Sequence, residues 1–328
     1  MEYRRLGKTG LDISEISIGT WQVGGKWGSG FDQQNAFRIL HAAIDKGINF
    51  IDTADVYEAG MSETAVGKVV RSRSEEVFVA SKCGRRIIPH INEGYTPDVL
   101  QKYVEDTLHR TGLDTLDLIQ LHCPPTEVYY RPEIFERFER LKEQGKIRNL
   151  GVSVQKVEEA LKAIEFDNVT TVQIIFNVFR QRPAELFFRE AVRRNVGIIV
   201  RVPLASGLLS GKFRADSTFE KGDHRFFNRN GESFDKGETF SGIDFATGLK
   251  AMDMMKEIFP GVENLAPAAL QWILQFPEVS CIIPGVSRPD QLDSNLSVYD
   301  QPNLTRQQLE GMNAIYEEMI KDRVHHLW

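Results

Sequence analysis

The sequence has few of the features that mark secreted, membrane or nucleic-acid-binding proteins. It contains three cysteines, Cys83, Cys123 and Cys281, and this small odd number indicates reduced thiols rather than a disulfide framework. It has no apolar run long enough to cross a bilayer, and its N-terminus lacks the apolar core of a signal peptide. The net charge of −6 is spread along the chain without a lysine and arginine block. We therefore expect a cytoplasmic protein that binds neither nucleic acid nor membrane.

The overall composition is that of a globular chain with a large core. Hydrophobic residues make up 41% of the 328 positions and charged residues 26%, which is the usual balance of such proteins. Because α/β barrels often exceed the common domain length as one unit, we expect a single domain over residues 1–328. The sequence does not indicate an oligomeric state.

Short β-branched runs alternate with longer segments of helical period along the chain, as in βαβ units that share a parallel sheet. About eight strands are predicted, and they are apolar on both faces, as parallel strands covered by helices must be. The predicted strands are Ile16–Gly19, Asn49–Asp52, Val77–Ser81, Leu116–Leu121, Asn149–Val152, Thr171–Ile174, Gly197–Val200 and Cys281–Ile283. The predicted helices include Asn35–Lys46, Pro97–Thr111, Pro132–Gln144, Val157–Phe166, Pro183–Asn195 and Pro267–Gln275. This pattern predicts the α/β class and a closed (β/α)8 TIM barrel.

Three regions fall outside this repeat. Residues Glu2–Ile13 predict a β-hairpin, placed at the barrel floor. The segment Ser206–Phe240 is long and weakly periodic, and we interpret it as a candidate cofactor clamp. A last helix over about Thr305–Lys321 predicts extra helices at the C-terminus, followed by a tail of residues 324–328. The two adjacent histidines of that tail are poorly placed for one metal ion, so packing is favoured over a substrate lid or a metal site.

Polar residues at the predicted strand ends are the catalytic candidates, because barrel enzymes build their sites from the loops that follow the strands. Asp52, Lys82 and His122 end three successive strands, and Tyr57 follows in the first of these loops. An ammonium about 4 Å from a phenol favours the phenolate by roughly 4 kcal/mol at an effective dielectric of about 20. We therefore expect Lys82 to bring the pKa of Tyr57 towards neutral pH, where an acid–base catalyst is most efficient.

Each of these four residues also has an ordinary structural role. An aspartate at a strand end can cap a helix or loop, and a tyrosine can simply pack against other side chains. A half-buried lysine can pair with a carboxylate, and a core histidine can have its hydrogen bonds satisfied by its neighbours. Their positions at successive strand ends favour a catalytic set. The neighbours Cys83 and Cys123 are expected to pack behind the pocket, since adjacent strand residues alternate faces.

If such an acid protonates a carbonyl oxygen, that step is only half of a reduction. The other half needs hydride, which no side chain can supply, so a cofactor is required. The glycines of Gly19–Gly25 do not have the Rossmann spacing, and Ser206–Phe213 departs from a phosphate loop. The stretch Ile283–Asn295 instead places small residues and an arginine at a strand-to-helix junction. Such a junction suits a ribose phosphate.

Together these segments resemble the aldo-keto reductase family over nearly the whole chain. The motifs that carry the resemblance are Leu6–Gly10, Gly19–Trp21, Asn49–Tyr57 with Ser62-Glu63, Ser81-Lys82, Leu121-His122, Gly145–Arg148, Gly151–Ser153, Gln173, Asn177, Pro203-Leu204, Gly207–Lys212 and Ile283–Asn295. The resemblance implies an NADP(H)-dependent oxidoreductase that reduces small aldehydes, ketones or sugars without a Rossmann domain. It also implies a tetrad of Asp52, Tyr57, Lys82 and His122, with Tyr57 as the general acid.

The same resemblance implies a set of cofactor-binding residues. Ser153 and Gln173 would hold the nicotinamide carboxamide. The remaining implied contacts are Gly19, Thr20, Trp21, Asp52, Arg201, Pro203, Leu204, Gly207, Leu208, Lys212, Gly285, Ser287, Arg288, Gln291 and Asn295.

Three positions depart from the family pattern. Val154 replaces an asparagine that many members have, and Arg201 replaces a tyrosine that stacks on the nicotinamide. Gly285 replaces a lysine, which leaves Arg288 as the expected 2′-phosphate ligand.

Two other functions stay open at this stage. One is a Schiff-base aldolase that uses Lys82 as the nucleophile, and the other is a non-catalytic, cofactor-binding regulatory subunit. The substrate itself is not indicated, because it depends on the loops Trp21–Phe31, Cys123–Tyr130 and Ser206–Phe240.

Overall fold

A computed structural model of the chain describes residues 1–25 and 30–328. It begins with an antiparallel hairpin of β1 (Tyr3–Arg5) and β2 (Asp12–Ser14). Within the described residues, the main sheet has eight parallel strands in sequence order. They are β3 (Ile18–Gly19), β4 (Phe50–Asp52), β5 (Phe78–Cys83), β6 (Leu118–His122), β7 (Leu150–Ser153), β8 (Val169–Ile175), β9 (Gly197–Arg201) and β10 (Val279–Ile282).

Backbone contacts between the first and last strands of this sheet close it into a barrel. The N–H of Ser17 donates to the Ile282 carbonyl at 2.9 Å, and the Ile282 N–H donates to Glu15 at 2.8 Å. The Gly19 N–H continues this seam by donating to the Pro284 carbonyl at 3.2 Å. The predicted (β/α)8 barrel is thus confirmed.

Helices cover the outside of the barrel and follow most strands. They are α1 (Gln33–Asp45), α2 (Met61–Arg71), α3 (Pro97–Thr111), α4 (Pro132–Glu143), α5 (Val157–Ala163), α6 (Phe187–Arg193), α7 (His224–Phe227), α8 (Phe245–Ile258), α9 (Ala266–Leu274), α10 (Pro289–Leu296), α11 (Arg306–Ile315) and α12 (Lys321–Val324). A π-helical turn, Tyr316–Ile320, joins the last two. The extra C-terminal helices were expected, although the single helix predicted there is divided.

The N-terminal hairpin plugs the barrel floor, as predicted. Its Leu6, Leu11 and Ile13 pack against side chains from the barrel interior, including Phe50 and Leu118. The turn between β1 and β2 also contacts the residues just before β9, where the Lys8 N–H donates to the Asn195 carbonyl at 2.7 Å. This end of the barrel is therefore filled, and the opposite end, where the strands terminate, is left for a site.

The predicted strand positions are correct, but several bounds differ. β5 extends two residues beyond the predicted Ser81 to Cys83, and β8 extends at both ends. The helix predicted over Pro183–Asn195 begins only at Phe187. The segment Ser206–Phe240 contains short helical turns and α7, in agreement with its weak periodicity.

Candidate active site

Three neighbouring strands bring the predicted catalytic side chains to one edge of the barrel. Asp52 ends β4, Lys82 lies one residue before the end of β5, and His122 ends β6. Tyr57 comes from the loop after β4, at the start of a short helical turn. The structure therefore brings all four residues together, although up to 70 positions separate them in the chain.

Lys82 is the centre of this group. Its ammonium is bonded to Asp52 Oδ1, donates to the Thr53 carbonyl at 3.0 Å and lies 3.2 Å from the Tyr57 hydroxyl. The side chains of Lys82 and Asp52 are each 1% exposed. Since a buried ammonium must be paired, Asp52 holds both the charge and the position of Lys82.

Two glutamines hold the other side of the Asp52 carboxylate. Gln120 Nε2 donates to Asp52 Oδ2 at 3.0 Å and Gln173 Nε2 does so at 2.8 Å, while the two glutamine side chains bond each other at 3.2 Å. Gln120 was not predicted. It lies two residues before His122 on the same strand, so the alternation of side chains along β6 points it to the same interior face.

The protonation of Tyr57 differs from the expectation. Burial raises the pKa of the Tyr57 hydroxyl and outweighs the lowering by Lys82, and Asp52 raises it further. Burial alone would lower the pKa of Lys82, but Asp52 and Tyr57 raise it above its ordinary value. The pair is therefore a neutral phenol beside an ammonium, because the low-dielectric surroundings disfavour the phenolate more than one partly neutralised cation favours it.

His122 is a neutral imidazole in this site. Burial, followed by the charges of Arg85 and Lys82, lowers its pKa well below the ordinary value. Its ring meets the Tyr57 ring edge-on with the centroids 6.0 Å apart. A neutral imidazole can donate one hydrogen bond to an oxygen held beside Tyr57.

A cavity of about 590 Å³ opens beside these residues. Its wall includes most of the predicted site. The predicted residues that line it are Gly19, Trp21, Asp52, Tyr57, His122, Gln173, Arg201, Pro203, Leu204, Gly207, Lys212, Gly285, Ser287, Arg288 and Gln291. The cavity thus joins the strand ends to the region before α10.

The other predicted residues, Thr20, Lys82, Ser153, Leu208 and Asn295, do not line the cavity and are buried. Thr20 donates to the Asp52 carbonyl at 3.0 Å, and the Ser153 hydroxyl lies 3.6 Å from the Cys123 sulfur. Leu208 belongs to the hydrophobic core. Asn295 is 4% exposed, and its Nδ2 has no hydrogen-bond partner among the described residues.

The end of the cavity near α10 has the groups expected for a phosphate. Ser287 donates through its N–H to Gln291 Oε1 at 2.8 Å, which closes the first turn of α10. Arg288 is exposed and pairs with Asp290 at 3.0 Å. A phosphate bound by Arg288 would therefore compete with this carboxylate.

Sequence reasoning missed an ion pair near Tyr57. Arg85 Nη1 donates to Glu238 Oε1 at 3.1 Å, and Arg201 Nη1 lies 3.7 Å from the same oxygen. Glu238 belongs to the segment predicted as a clamp. The positive charge of Arg85 after β5 and the negative charge of Glu238 after β9 were visible in the sequence. Their pairing depends on how the segment that holds Glu238 crosses the barrel.

An aromatic group faces the same part of the cavity. The Trp21 ring lies 6.4 Å from Tyr57, 4.8 Å from His224 and 6.1 Å from Phe234. Burial lowers the pKa of His224 to about 4, so its ring is neutral. Part of the loop Trp21–Phe31, residues 26–29, lies outside the described residues.

The cysteines are buried, and the C-terminal tail packs through His325 and Trp328. All three cysteines are unpaired and buried. Trp328 packs under the Arg180 guanidinium at 4.1 Å, and His325 bonds the Tyr316 hydroxyl at 2.7 Å, which supports the packing interpretation.

The described residues show neither a metal cluster nor a membrane helix. No group of His, Cys, Asp and Glu side chains among them is arranged for a metal ion. No helix in these ranges has the length and apolar character that crossing a membrane requires.

Comparisons with known proteins agree with this geometry. The model of the aldo/keto reductase family matches residues 15–317. The chain is 29% identical to the aldo-keto reductase YhdN of Bacillus subtilis, over 99% of this chain and 96% of YhdN. It is similar to the structure of the glycerol dehydrogenase AKR11B4 from Gluconobacter oxydans, with a TM-score of 0.79 and 29% identity over 97% and 96% of the two chains. The holo form of the aldo-keto reductase AKR11C1 from Bacillus halodurans aligns with a TM-score of 0.76 and 25% identity, over 96% of each chain. The chain belongs to the aldo/keto reductase family.

Proposed function

We propose that this protein is an NADP(H)-dependent reductase of small aldehydes, ketones or sugars, with Tyr57 as the general acid. The observation that carries the proposal is the Tyr57 hydroxyl, 3.2 Å from the buried Lys82 ammonium, on the wall of a cavity. A phenol in this position donates its proton to a carbonyl oxygen, and the ammonium stabilises the phenolate that remains. At 3.2 Å and an effective dielectric of about 20 this interaction is on the order of 5 kcal/mol.

The residues along the cavity fit a dinucleotide. Gln173 and Arg201 lie beside the tetrad, and Ser287, Arg288 and Gln291 lie at the start of α10. A helix N-terminus and a guanidinium both bind phosphate, and Arg288 is the residue that would distinguish a 2′-phosphate from a hydroxyl. When bound, the cofactor supplies the hydride that no side chain can provide.

His122 would place the carbonyl oxygen for this transfer. Because its imidazole is neutral, it donates a hydrogen bond without placing a second positive charge next to Lys82. The substrate oxygen would then lie between two donors, His122 and Tyr57. Such preorganised donors stabilise the charge that develops on the oxygen in the transition state.

The contacts of Lys82 argue against the aldolase alternative. A Schiff base forms from a free amine, but the ammonium of Lys82 is bonded to Asp52 and its pKa is raised. Borohydride in the presence of substrate should therefore trap no covalent adduct on Lys82.

The decisive experiment compares Tyr57→Phe with the wild type. Loss of a general acid should lower kcat about 10²–10⁴-fold, while the Kd for NADPH from fluorescence titration stays the same. Tyr3→Phe is the control, since Tyr3 is exposed on the N-terminal hairpin at the opposite end of the barrel and should keep full turnover. Full activity in Tyr57→Phe would contradict the role of Tyr57, and an absence of turnover in the wild type would favour a regulatory subunit.

The cofactor preference needs its own measurement. Arg288→Ala should weaken the binding of NADPH about tenfold or more and leave NADH binding unchanged, because one charge-assisted contact to phosphate is lost. Equal effects on both nucleotides would contradict the preference for NADP(H).

A further inference from the structure

The wall of the cavity next to Tyr57 carries charged and aromatic groups that the proton transfer does not use. Arg85 donates to Glu238 at 3.1 Å, and both residues line the cavity with Tyr57 and His122. The Arg85 guanidinium lies 5.6 Å over the Phe234 ring, which itself lies 6.1 Å from Trp21. The Arg85–Glu238 pair and an aromatic surface are thus adjacent to the proposed proton donor.

This pair is held in place, and its contacts with the described residues leave part of its hydrogen-bonding capacity unused. The side chains of Arg85 and Glu238 are 18% and 9% exposed. The contacts of Glu238 with Arg85 and Arg201 both use Oε1, and Oε2 has no side-chain hydrogen bond to a described residue. A guanidinium offers five N–H groups, and Arg85 directs one nitrogen, Nη1, to Glu238. Donors and an acceptor therefore stand side by side on the cavity wall.

A hydroxyl group matches this wall better than an alkyl group or an anion does. A hydroxyl both donates and accepts, so it can bond the guanidinium and the carboxylate together. An alkyl group would cover both charges without pairing them, which is costly for buried polar groups. A ligand carboxylate would meet Arg85 but would be repelled by Glu238. The rings of Trp21 and Phe234 offer an apolar surface to the carbon chain.

We propose that the Arg85–Glu238 pair binds a hydroxyl group next to the substrate carbonyl, so that hydroxylated aldehydes and ketones are preferred over their alkyl counterparts. The inference rests on the proposed reductase function and narrows its substrates to short sugars and other hydroxycarbonyl compounds. It makes Arg85 and Glu238 residues that determine specificity.

The experiment uses two pairs of carbonyl compounds in which a hydroxyl replaces a methyl of similar size. These are glycolaldehyde against propanal, and hydroxyacetone against butanone, with pyruvate as the anionic comparison. For each pair the ratio of kcat/KM values is measured with NADPH for the wild type, Arg85→Met and Arg85→Lys. Because the hydroxyl also changes the reactivity of the carbonyl, the change in the ratio between variants is the quantity that tests the inference.

We expect the ratio to fall tenfold or more in Arg85→Met and to recover in part in Arg85→Lys, since sites built to bond a hydroxyl discriminate strongly against analogues without it. Glu238→Gln should lower the ratio less, because the amide keeps an acceptor oxygen. Arg86→Met, at the exposed neighbouring position, is the matched control and should leave the ratio unchanged.

The possible failures can be told apart. Turnover with the same ratio in Arg85→Met and in the wild type would overturn this inference alone. A wild-type preference for pyruvate over hydroxyacetone would also overturn it and would mark an anion site. No turnover of any of these compounds by the wild type would overturn the proposed function, and this inference with it.

Discussion

Burial decides the protonation of the ionisable residues around Lys82. Tyr57 keeps its proton although an ammonium lies 3.2 Å away. His122 is neutral because burial lowers its pKa and the charges of Arg85 and Lys82 lower it further. Charge alone would favour the opposite state for Tyr57. The desolvation of a charged group in the interior is the larger effect at these positions.

The raised pKa of Tyr57 predicts a particular pH dependence for the proposed reaction. The protonated phenol persists below its pKa, which lies above the ordinary value of 10. For carbonyl reduction, kcat/KM should therefore be flat between pH 6 and about 9. In alcohol oxidation the phenolate is required, so kcat/KM should rise close to tenfold per pH unit over the same range. A fall in the reduction rate centred near neutral pH would show that Tyr57 titrates lower than the structure indicates.

Asp55, two residues before Tyr57, should limit the stability of the protein above neutral pH. Its side chain is fully buried, and neither carboxylate oxygen has a hydrogen-bond partner among the described residues. Burial, together with Glu63, raises the pKa of Asp55 to about 7, and Arg110 offsets this only in part. Between the unfolded pKa of about 4 and this value the native state binds more protons, so stability is lost as pH rises.

Asp55→Asn removes this ionisation. The free energy of unfolding of Asp55→Asn should equal that of the wild type below pH 4 and exceed it by roughly 2–4 kcal/mol above pH 7. Urea denaturation at pH 4 to 8 would show the difference grow with pH. Parallel curves for the two proteins would mean that Asp55 is ionised and paired in the native state.

At the scale of elements, local signals set some boundaries well and others poorly. The prediction for α3 was correct at both ends because Thr96 caps the first turn, Pro97 occupies its first position and Gly112 ends the helix in the left-handed conformation. The helix predicted from Pro183 begins four residues late because Arg182–Ala184 form a separate 3-10 turn. The spacing of apolar residues in the sequence did not indicate the π-helical turn after α11.

The hairpin turn offers a test of how the barrel floor is closed. Gly7 has φ of +50°, and a Cβ there would lie 2.2 Å from the Gly197 nitrogen, whereas Gly10 has φ of +82° with open space around it. Gly7→Ala should destabilise the protein by roughly 2–5 kcal/mol, since it adds a clash to the backbone strain. Gly10→Ala carries the strain alone and should cost about 1–2 kcal/mol. Equal losses in urea denaturation would mean that the hairpin is not packed closely on β9.

At the scale of the whole molecule, Arg4 links the first and last strands of the sheet at the floor of the barrel. Its guanidinium donates to the carbonyls of Leu274 and Val279, both at 2.9 Å, and pairs with Glu15 at 2.7 Å. It thus ties the N-terminal hairpin to the connection between α9 and β10. These are the regions that meet at the seam of the sheet.

Arg4→Met should therefore lower the free energy of unfolding by about 2–4 kcal/mol. Several charge-assisted hydrogen bonds are lost, and the buried Glu15 carboxylate loses its ionic partner. Arg5→Met is the matched control. Arg5 pairs with Asp12 on the exposed face, where an ion pair contributes about 0–1 kcal/mol. Similar unfolding midpoints for the two variants would show that the seam does not depend on Arg4.

Much of the fold and the convergence of Asp52, Lys82 and His122 could be predicted because the signals are local or repeat along the chain. The alternation of apolar strands with amphipathic helices indicated the barrel, and strand ends pointed to Asp52, Lys82 and His122. The side chains of these residues converge because parallel strands end at the same edge. Family resemblance extended this to the residues before α10.

Other features depended on chain folding at long range. Gln120 became part of the site through its bond to Asp52, and Glu238 through a segment that crosses the barrel mouth to meet Arg85. The protonation of Tyr57 was predicted in the wrong direction, since the distance to Lys82 can be guessed from strand neighbours but the loss of water around the phenol cannot. Residue order specifies which groups are near a strand end, whereas burial and pairing across the barrel set their charge and their partners.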